Sequence, residues 1–147
     1  MSNITAAARR IEVLARQAAL LAQVPMLSVA DTIAVLKQEP EKVIVLIDAH
    51  SGTVKVPAFQ FIRSNGALVP NPNVQAVYSV KRGYVGYPNL NINGAWTELV
   101  WWTTPMKLDA REPDTTTFRP IDVVDNAAMI AELVEWVRDW ENEPGFG

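Results

Sequence analysis

Residue types that carry out catalysis are sparse in this chain. Its 147 residues include one histidine, His50, and no cysteine, so a thiolate nucleophile, a disulfide and a cysteine-ligated metal site are all excluded. His50 precedes Ser51 and Gly52 in a turn sequence, and no serine lies in a nucleophile-elbow motif. A lone histidine beside a turn is far more often solvated than catalytic. We therefore predict no catalytic residue and do not interpret the chain as an enzyme.

Carboxylates and glycines are more numerous, but they lack the spacing of a ligand site. The acidic residues between 132 and 143 fall mainly on one predicted helix, where they indicate a solvated face rather than a cation site. The glycines of the segment 81–94 do not match a phosphate-binding loop. We predict neither a metal nor a cofactor.

Charge is unevenly distributed along the chain, whose net charge is −3. Residues 1–30 carry Arg9, Arg10 and Arg16 against Glu12, a net of +2, whereas residues 121–147 carry seven acidic residues against Arg138, a net of −6. This balance argues against broad nucleic-acid affinity and allows electrostatic attraction to a protein partner. The first 23 residues lack the apolar block of a signal peptide, and no apolar run is long enough to span a membrane. We expect a cytoplasmic protein that does not contact a membrane.

Residues 4–23 carry an apolar repeat that predicts the first helix, which Pro25 ends. The apolar residues follow the a and d spacing of successive heptads: Ile4, Ala7, Ile11, Leu14, Ala18 and Leu21. Such a helix packs on its own domain or pairs with a second copy, and three heptads are too few to decide between them. A homo-oligomer is the state we expect.

The sequence pattern of residues 27–52 is typical of a helix-turn-helix. A helix over 28–37 begins at the N-cap residue Ser28, with a buried stripe predicted at Ala30, Ile33, Ala34 and Leu36. A turn over 38–40 precedes residues 41–49, which fit a second helix or a strand because they are rich in β-branched side chains. The following segment, VPAFQF at 56–61, reads as a strand with its two phenylalanines on one face and Gln60 exposed on the other.

The second helix of such a motif would enter the major groove and needs basic donors. Here it offers Lys42 beside Glu41 and Asp48, so its surface would repel phosphate. DNA binding is therefore weakly supported. The residues that could contribute to it are Arg9, Arg10, Arg16 and Lys42.

The segment 94–108 contains three of the five tryptophans and predicts a helix over 96–103 that ends before Pro105. By helical periodicity, Trp96 shares one face with Leu99, Val100 and Thr103 and is predicted to lie in the core. Trp102 falls at the margin of that face. Trp101 points away from it, either into a second layer of core or toward a partner. Trp101 and Trp102 are therefore candidate partner contacts.

The last predicted helix, 127–140, carries an apolar stripe at Met129, Ile130, Leu133, Val137 and Trp140, with Trp136 along its edge. It packs on the domain or binds a partner. Phe146 stands in a short acidic tail that we expect to be flexible. Trp136, Trp140 and Phe146 complete the candidate partner contacts.

An ordered set of short motifs resembles a known family. They are VPAFQF at 56–61, Trp96, Trp101-Trp102, Thr104-Pro105, Leu108-Asp109 and RPIDVV at 119–124. In this order they resemble the toxin-binding domain of Xre/MbcA/ParS-type antitoxins, over about residues 27–130. The chain departs from the pattern at Met106, where asparagine is common, at Ala110, where glycine is usual, and by an apparent insertion over 110–118.

The resemblance implies an antitoxin that binds and neutralises a RES-domain toxin, an enzyme that consumes NAD. It implies a mainly α fold with a small β-hairpin, forming a compact helical domain with a degenerate helix-turn-helix-like N-terminal part. We divide the chain into an N-terminal helix (1–23), a helix-turn-helix-like part with the hairpin (24–62), a toxin-binding helical part (63–142) and a flexible tail (143–147). The alternatives are a DNA-binding regulator of the winged helix-turn-helix type and a structural oligomerisation module.

Overall fold

Five α-helices and two short antiparallel sheets make up the described part of the chain. The computed structural model describes residues 3–38, 43–81, 92–108 and 117–141. The helices are α1 (Asn3–Gln23), α2 (Val29–Lys37), α3 (Pro72–Val80), α4 (Ile92–Thr103) and α5 (Ala127–Glu141). The strands are β1 (Leu46–Ile47), β2 (Val54–Lys55), β3 (Phe61–Ser64) and β4 (Ala67–Pro70), and short 3-10 helices span Ala58–Gln60 and Pro120–Val123. A mainly helical fold with a small hairpin is thus confirmed, and the structure adds a second hairpin.

Polar side chains fix where three of the helices begin. The Ser28 hydroxyl accepts a hydrogen bond from the Asp31 amide at 3.1 Å, which confirms the predicted cap of α2. Asn71 caps α3 by accepting from the Asn73 amide at 3.0 Å. The side chain of Asn126 accepts from the Met129 amide at 3.1 Å at the start of α5. These contacts satisfy amides that have no partner within their helix.

Both hairpins are closed by residues whose chemistry suits a tight turn. Between β3 and β4, Asn65 and Gly66 adopt φ values of 53° and 81°, the left-handed pair that a two-residue hairpin loop needs. Between β1 and β2, the Asp48 carboxylate accepts from the His50 amide at 3.0 Å. That hydrogen bond is the main reason why the pKa of Asp48 is lowered. The turn predicted at 50–52 is confirmed.

The second helix of a helix-turn-helix does not form over residues 43–49. Leu46 pairs with Lys55 and Ile47 with Val54, so this stretch contributes a strand instead. Its run of β-branched residues favours the extended backbone, and β2 supplies the pairing partner. The helix-turn-helix-like character predicted for the N-terminal part is therefore not confirmed.

The main hydrophobic core lies among α3, α4 and α5. α3 packs on α5, while α4 packs on β1 and on the 3-10 helix at Pro120–Val123. Leu99 and Trp102 from α4 and Leu133 from α5 are fully buried in it. A smaller core between α2 and the strands contains Val35, Val43, Val56 and Phe61. The apolar stripe predicted on α5 is confirmed at Ile130, Leu133 and Val137.

The two N-terminal helices bury less than their sequences predict. On α2, Ala30, Ile33 and Ala34 are exposed, and Thr32 and Val35 are buried instead. The predicted stripe of α2 was wrong at these three positions because the helix meets the small core through the side that carries Val35, and only Leu36 of the predicted stripe packs there. On α1, every side chain from Ile4 to Val13 is exposed, and partial burial begins at Leu14. None of the described helices is both long enough and apolar enough to cross a membrane.

Candidate functional site

The tryptophans of α4 are distributed differently from the prediction. Trp96 is 6% exposed, so its predicted place in the core is confirmed. Trp102, predicted at the margin of the buried face, is fully buried. Trp101 remains partly exposed and packs against the core from outside. The buried face of α4 is centred on Leu99 and Trp102 rather than on Trp96, and Val100 is 47% exposed as a result.

Trp102 is held by aromatic contacts on several sides. Phe59 lies with its ring centroid 5.0 Å from that of Trp102 at an interplanar angle of 46°. Tyr78 and Trp101 both meet Trp102 edge to face, at 5.7 Å and 5.1 Å. Edge-to-face arrangements are favourable because the ring edge is electropositive and the ring face electronegative. Trp102 therefore fixes the position of Trp101 relative to the core.

A buried ion pair joins the end of α3 to the middle of α4. The Lys81 ammonium lies 2.6 Å from Oε1 of Glu98, and the two side chains are 2% and 1% exposed. The Trp102 indole N–H also donates to Glu98 Oε1, at 3.2 Å. Both charged residues are absent from the sequence-based site. A glutamate on an otherwise apolar helix was the available signal, because a buried carboxylate needs a positive partner.

The Trp101 ring covers the lysine of this ion pair. The Lys81 ammonium lies 3.6 Å from the centroid of a Trp101 ring, which is a cation–π contact. Trp101 is thus held between Lys81 and Trp102 while part of its surface stays exposed. A partly exposed aromatic that is already fixed in place loses little side-chain entropy when a partner covers it. Of the predicted contacts, Trp101 keeps the properties of an anchor, whereas Trp102 is buried and unable to touch a partner.

Gln60, predicted to be exposed, is fully buried, and its side chain forms hydrogen bonds with three residues, Ile44, Pro57 and Tyr78. Its amide oxygen accepts from the Ile44 amide at 2.5 Å and from the Tyr78 hydroxyl at 2.9 Å. Its amide nitrogen donates to the carbonyls of Ile44 at 3.1 Å and of Pro57 at 3.2 Å. The prediction was wrong because residues 58–60 form a 3-10 helix, so Phe59 and Phe61 do not share the face of one strand.

The phenol of Tyr78 is buried beside this amide. Burial raises the pKa of Tyr78 well above its ordinary value, and the nearby Glu98 carboxylate raises it further. Tyr78 therefore stays protonated and serves as a hydrogen-bond donor to Gln60. Sequence inspection gave no signal for this pair, because 18 residues separate the two side chains.

An open cleft of about 390 Å³ lies beside the main core. Its apolar lining comes mainly from Ala58, Phe59, Phe61 and Val124. Arg119 and Asp122 lie in the same lining and form a two-pronged ion pair, with Arg119 Nε and a terminal guanidinium nitrogen each 2.9 Å from an Asp122 oxygen. The guanidinium lowers the pKa of Asp122, and the same pairing raises the pKa of Arg119. The cleft thus combines an apolar floor with a paired charge.

The remaining partner contacts predicted from the sequence fall in or near α5. Trp136 is partly buried against the main core, as its place at the edge of the apolar stripe predicts. The side chain of Trp140 and the whole of Phe146 lie outside the described residues. Of these three residues, the described structure places only Trp136.

Of the residues considered for DNA contact, three lie on α1 and one lies outside the described residues. Arg9, Arg10 and Arg16 are exposed along α1. Lys42 lies outside the described residues, and the helix expected to carry it is replaced over 43–49 by irregular chain and β1. His50 is exposed in the β1–β2 turn. Among residues 3–38, 43–81, 92–108 and 117–141, no three histidine or carboxylate side chains are grouped to hold a metal ion.

Comparisons with protein-family models, with curated proteins and with solved structures find no match to this chain.

Proposed function

We propose that this chain is an antitoxin that binds a RES-type, NAD-consuming toxin and neutralises it by occluding its surface. The proposal begins from the resemblance of the short motifs to the toxin-binding domain of Xre/MbcA/ParS-type antitoxins. It gains support from the way in which those motifs are arranged in three dimensions.

The observation that carries the proposal is the convergence of three motifs at one place. VPAFQF contributes Ala58, Phe59 and Phe61 to the cleft, and RPIDVV contributes residues 119, 121, 122 and 124. Trp102 from the tryptophan pair lies directly behind Phe59. VPAFQF ends at Phe61 and RPIDVV begins at Arg119, so two segments that are distant in the chain meet here. Together these segments line and support one open cleft. A shared role in binding would require such an arrangement.

The chemistry of the cleft suits a protein segment rather than a small metabolite. It is open to solvent and has an apolar floor, so an apolar side chain from a partner would be desolvated there. The Arg119–Asp122 pair and Asp125 provide groups at which polar atoms of the partner can be matched. An apolar centre with a polar border is the usual organisation of a protein–protein interface.

A co-expression experiment tests the proposal. The proposal predicts a RES-domain gene beside the gene of this chain, and the probe is the product of that gene, produced alone and together with this chain. We expect the toxin alone to deplete cellular NAD and arrest growth, and co-expression to restore both while yielding a complex on size-exclusion chromatography. Ala58→Trp places a large side chain at the cleft, so binding should weaken about tenfold or more, which corresponds to about 1.4 kcal/mol.

The matched control is Val54→Trp, which places the same side chain on the exposed strand β2. It should bind like the natural chain, and both variants should unfold at the same denaturant concentration as that chain. Equal binding by Ala58→Trp would exclude the cleft, and loss of binding in Trp101→Ala would then place the contact at Trp101. Failure of the natural chain to bind or to protect against a neighbouring RES-domain protein contradicts the antitoxin function itself.

A further inference from the structure

The first half of α1 is an apolar helix without a covering surface in the described structure. Every side chain from Ile4 to Val13 is exposed, with Ile4 at 82% and Ile11 at 67%. Isolated helices of fewer than about 12–15 residues are marginal in water, and most helical stability in proteins comes from packing of an apolar face. An added partner surface would stabilise this half of the helix.

The exposed apolar face differs from the stripe that the sequence predicts. Leu14, Leu20 and Leu21 are partly buried and turn toward the domain. On another side of the helix, six exposed apolar residues follow a strict alternation of four and three positions: Ile4, Ala8, Ile11, Ala15, Ala18 and Ala22. That alternation is the a/d repeat of a two-stranded coiled coil. We call these six residues the α1 seam.

We propose that the α1 seam pairs with the α1 seam of a second copy of this chain, in antiparallel orientation, with the two-fold axis crossing the seam between Ile11 and Ala15. This inference goes beyond the antitoxin function and does not depend on it. It assigns one occupant, another copy of the chain, to a face that the described residues leave uncovered.

Side-chain size favours the antiparallel orientation. With the two-fold axis between Ile11 and Ala15, three kinds of layer form across the interface, and each occurs twice. They are Ile4 with Ala22, Ala8 with Ala18, and Ile11 with Ala15. Every isoleucine therefore meets an alanine of the second copy, and the two helices keep a nearly constant spacing. A parallel pair would place Ile4 and Ile11 against themselves and leave four alanine layers with gaps, which close packing disfavours.

Charge on the border of the seam favours the same orientation. Glu12, Arg9 and Arg16 are exposed on one flank of the seam. In the antiparallel pair, Glu12 of each copy lies about two residues along the axis, roughly 3 Å, from Arg16 of the other copy. In a parallel pair this flank would face the opposite flank of the second copy, so Glu12 would not meet Arg16. Opposite charges at such flanking positions set the orientation of paired helices.

The size of the seam sets the expected strength of the dimer. A helix of 21 residues is about 30 Å long, and covering roughly two-fifths of two such helices removes on the order of 1,000 Å² from solvent. This area lies at the lower end of specific interfaces. We therefore expect a monomer–dimer equilibrium with a dissociation constant in the micromolar range, visible across ordinary protein concentrations.

Sedimentation velocity across a concentration series tests the pairing with the full chain. The natural chain should shift from monomer to dimer, and Ile11→Asp should raise the dissociation constant at least about tenfold. Ile33→Asp is the matched control, because Ile33 is an exposed isoleucine on α2. It should dimerise like the natural chain. A chain that stays monomeric at all concentrations, or a dimer that Ile11→Asp leaves unchanged or that both variants dissociate, would overturn the proposal.

Cysteine pairing tests the orientation, since the natural chain has no cysteine. A mixture of Ala8→Cys and Ala18→Cys chains should form a disulfide between the two variants under mild oxidation. Ala8→Cys alone should not pair, because the two Ala8 positions lie about 15 Å apart along the axis of the antiparallel dimer. Pairing of Ala8→Cys with itself in place of the mixed product would rule out the antiparallel seam.

Discussion

At the scale of single residues, the side-chain amide of Gln60 connects distant parts of the chain through four buried hydrogen bonds. Both hydrogen-bonding groups of Ile44 are paired with this side chain, as they would be with a neighbouring strand. The remaining donor and acceptor capacity goes to Pro57 and Tyr78. The backbone nitrogen of Asn71 also donates to the Gln60 carbonyl, at 2.8 Å. One side chain thereby satisfies the irregular backbone at Ile44, before β1, which lacks a ladder partner there.

Replacing Gln60 should therefore be costly. We expect Gln60→Leu to lower the free energy of unfolding by roughly 2–4 kcal/mol, because it leaves buried groups of Ile44 and Tyr78 without partners. Urea denaturation monitored by tryptophan fluorescence measures the change. Gln38→Leu, at an exposed position after α2, should change stability by less than about 0.5 kcal/mol. A loss below about 1 kcal/mol for Gln60→Leu would mean that these hydrogen bonds contribute little.

The sequence predicts some residue positions well and others poorly, for identifiable reasons. The burial of Trp96 and the cap at Ser28 depend on local spacing, and both are confirmed. The burial of Gln60 depends on a 3-10 helix that interrupts the alternation of a strand. The central position of Trp102 depends on Lys81, 21 positions earlier in the chain. The charge of Lys81 makes it possible to bury Glu98, which lies on the same face of α4 as Trp102.

At the scale of elements, the Lys81–Glu98 pair determines how α3 and α4 meet. Contacts between the two helices include this ion pair, the aromatic contact of Tyr78 with Trp102 and the cation–π contact of Lys81 with Trp101. A buried ion pair adds little stability over an apolar pair, but it becomes very unfavourable when one partner is lost. It therefore specifies which residues of the two helices face each other.

Removing the charges one at a time should reveal this coupling. Lys81→Met should lower the free energy of unfolding at neutral pH by roughly 3–5 kcal/mol, because the Glu98 carboxylate stays buried without its counter-charge. The double variant Lys81→Met/Glu98→Gln should recover much of the loss, since glutamine still accepts from the Trp102 indole. A double-mutant cycle in urea measures the difference. Additive losses from the two substitutions would contradict the coupling.

Element boundaries follow local signals, whereas the choice between helix and strand does not always do so. Capping side chains and Pro72 mark the start of α3, and Asn65-Gly66 marks the turn between β3 and β4, so both could be anticipated. Residues 43–49 fit either structure by composition. Their pairing with Val54 and Lys55 decides the outcome, and that pairing is a tertiary contact that the local pattern does not contain.

At the scale of the whole molecule, stability should depend on alkaline pH through one buried phenol. The pKa of Tyr78 in the folded chain lies well above the ordinary value of 10.0. As the pH rises above 10, the unfolded chain loses the Tyr78 proton before the folded chain does. The unfolded chain then binds fewer protons than the folded chain. The stability contributed by protonated Tyr78 is complete below pH 10 and is lost as the pH rises toward the folded pKa.

The free energy of unfolding should therefore fall with pH above about 10, by up to about 1.4 kcal/mol per pH unit from Tyr78 alone. Tyr78→Phe removes this component, so its stability should fall less steeply, although it is lower at neutral pH through loss of the hydrogen bond to Gln60. Urea denaturation between about pH 8 and 11 compares the two slopes. Parallel slopes would show that Tyr78 titrates normally in the folded chain.

The amide at position 60 also has a consequence for how the gene can change. A single nucleotide substitution in a glutamine codon yields glutamate, lysine, arginine, histidine, leucine or proline. None of these side chains can donate two hydrogen bonds and accept two in the planar arrangement that Ile44, Pro57 and Tyr78 present. Asparagine has the same amide but is one methylene shorter, and it requires more than one nucleotide change. No single nucleotide change that replaces Gln60 therefore preserves these hydrogen bonds. A damaging substitution there is compensated either by reversion to glutamine or by changes in the surrounding loops.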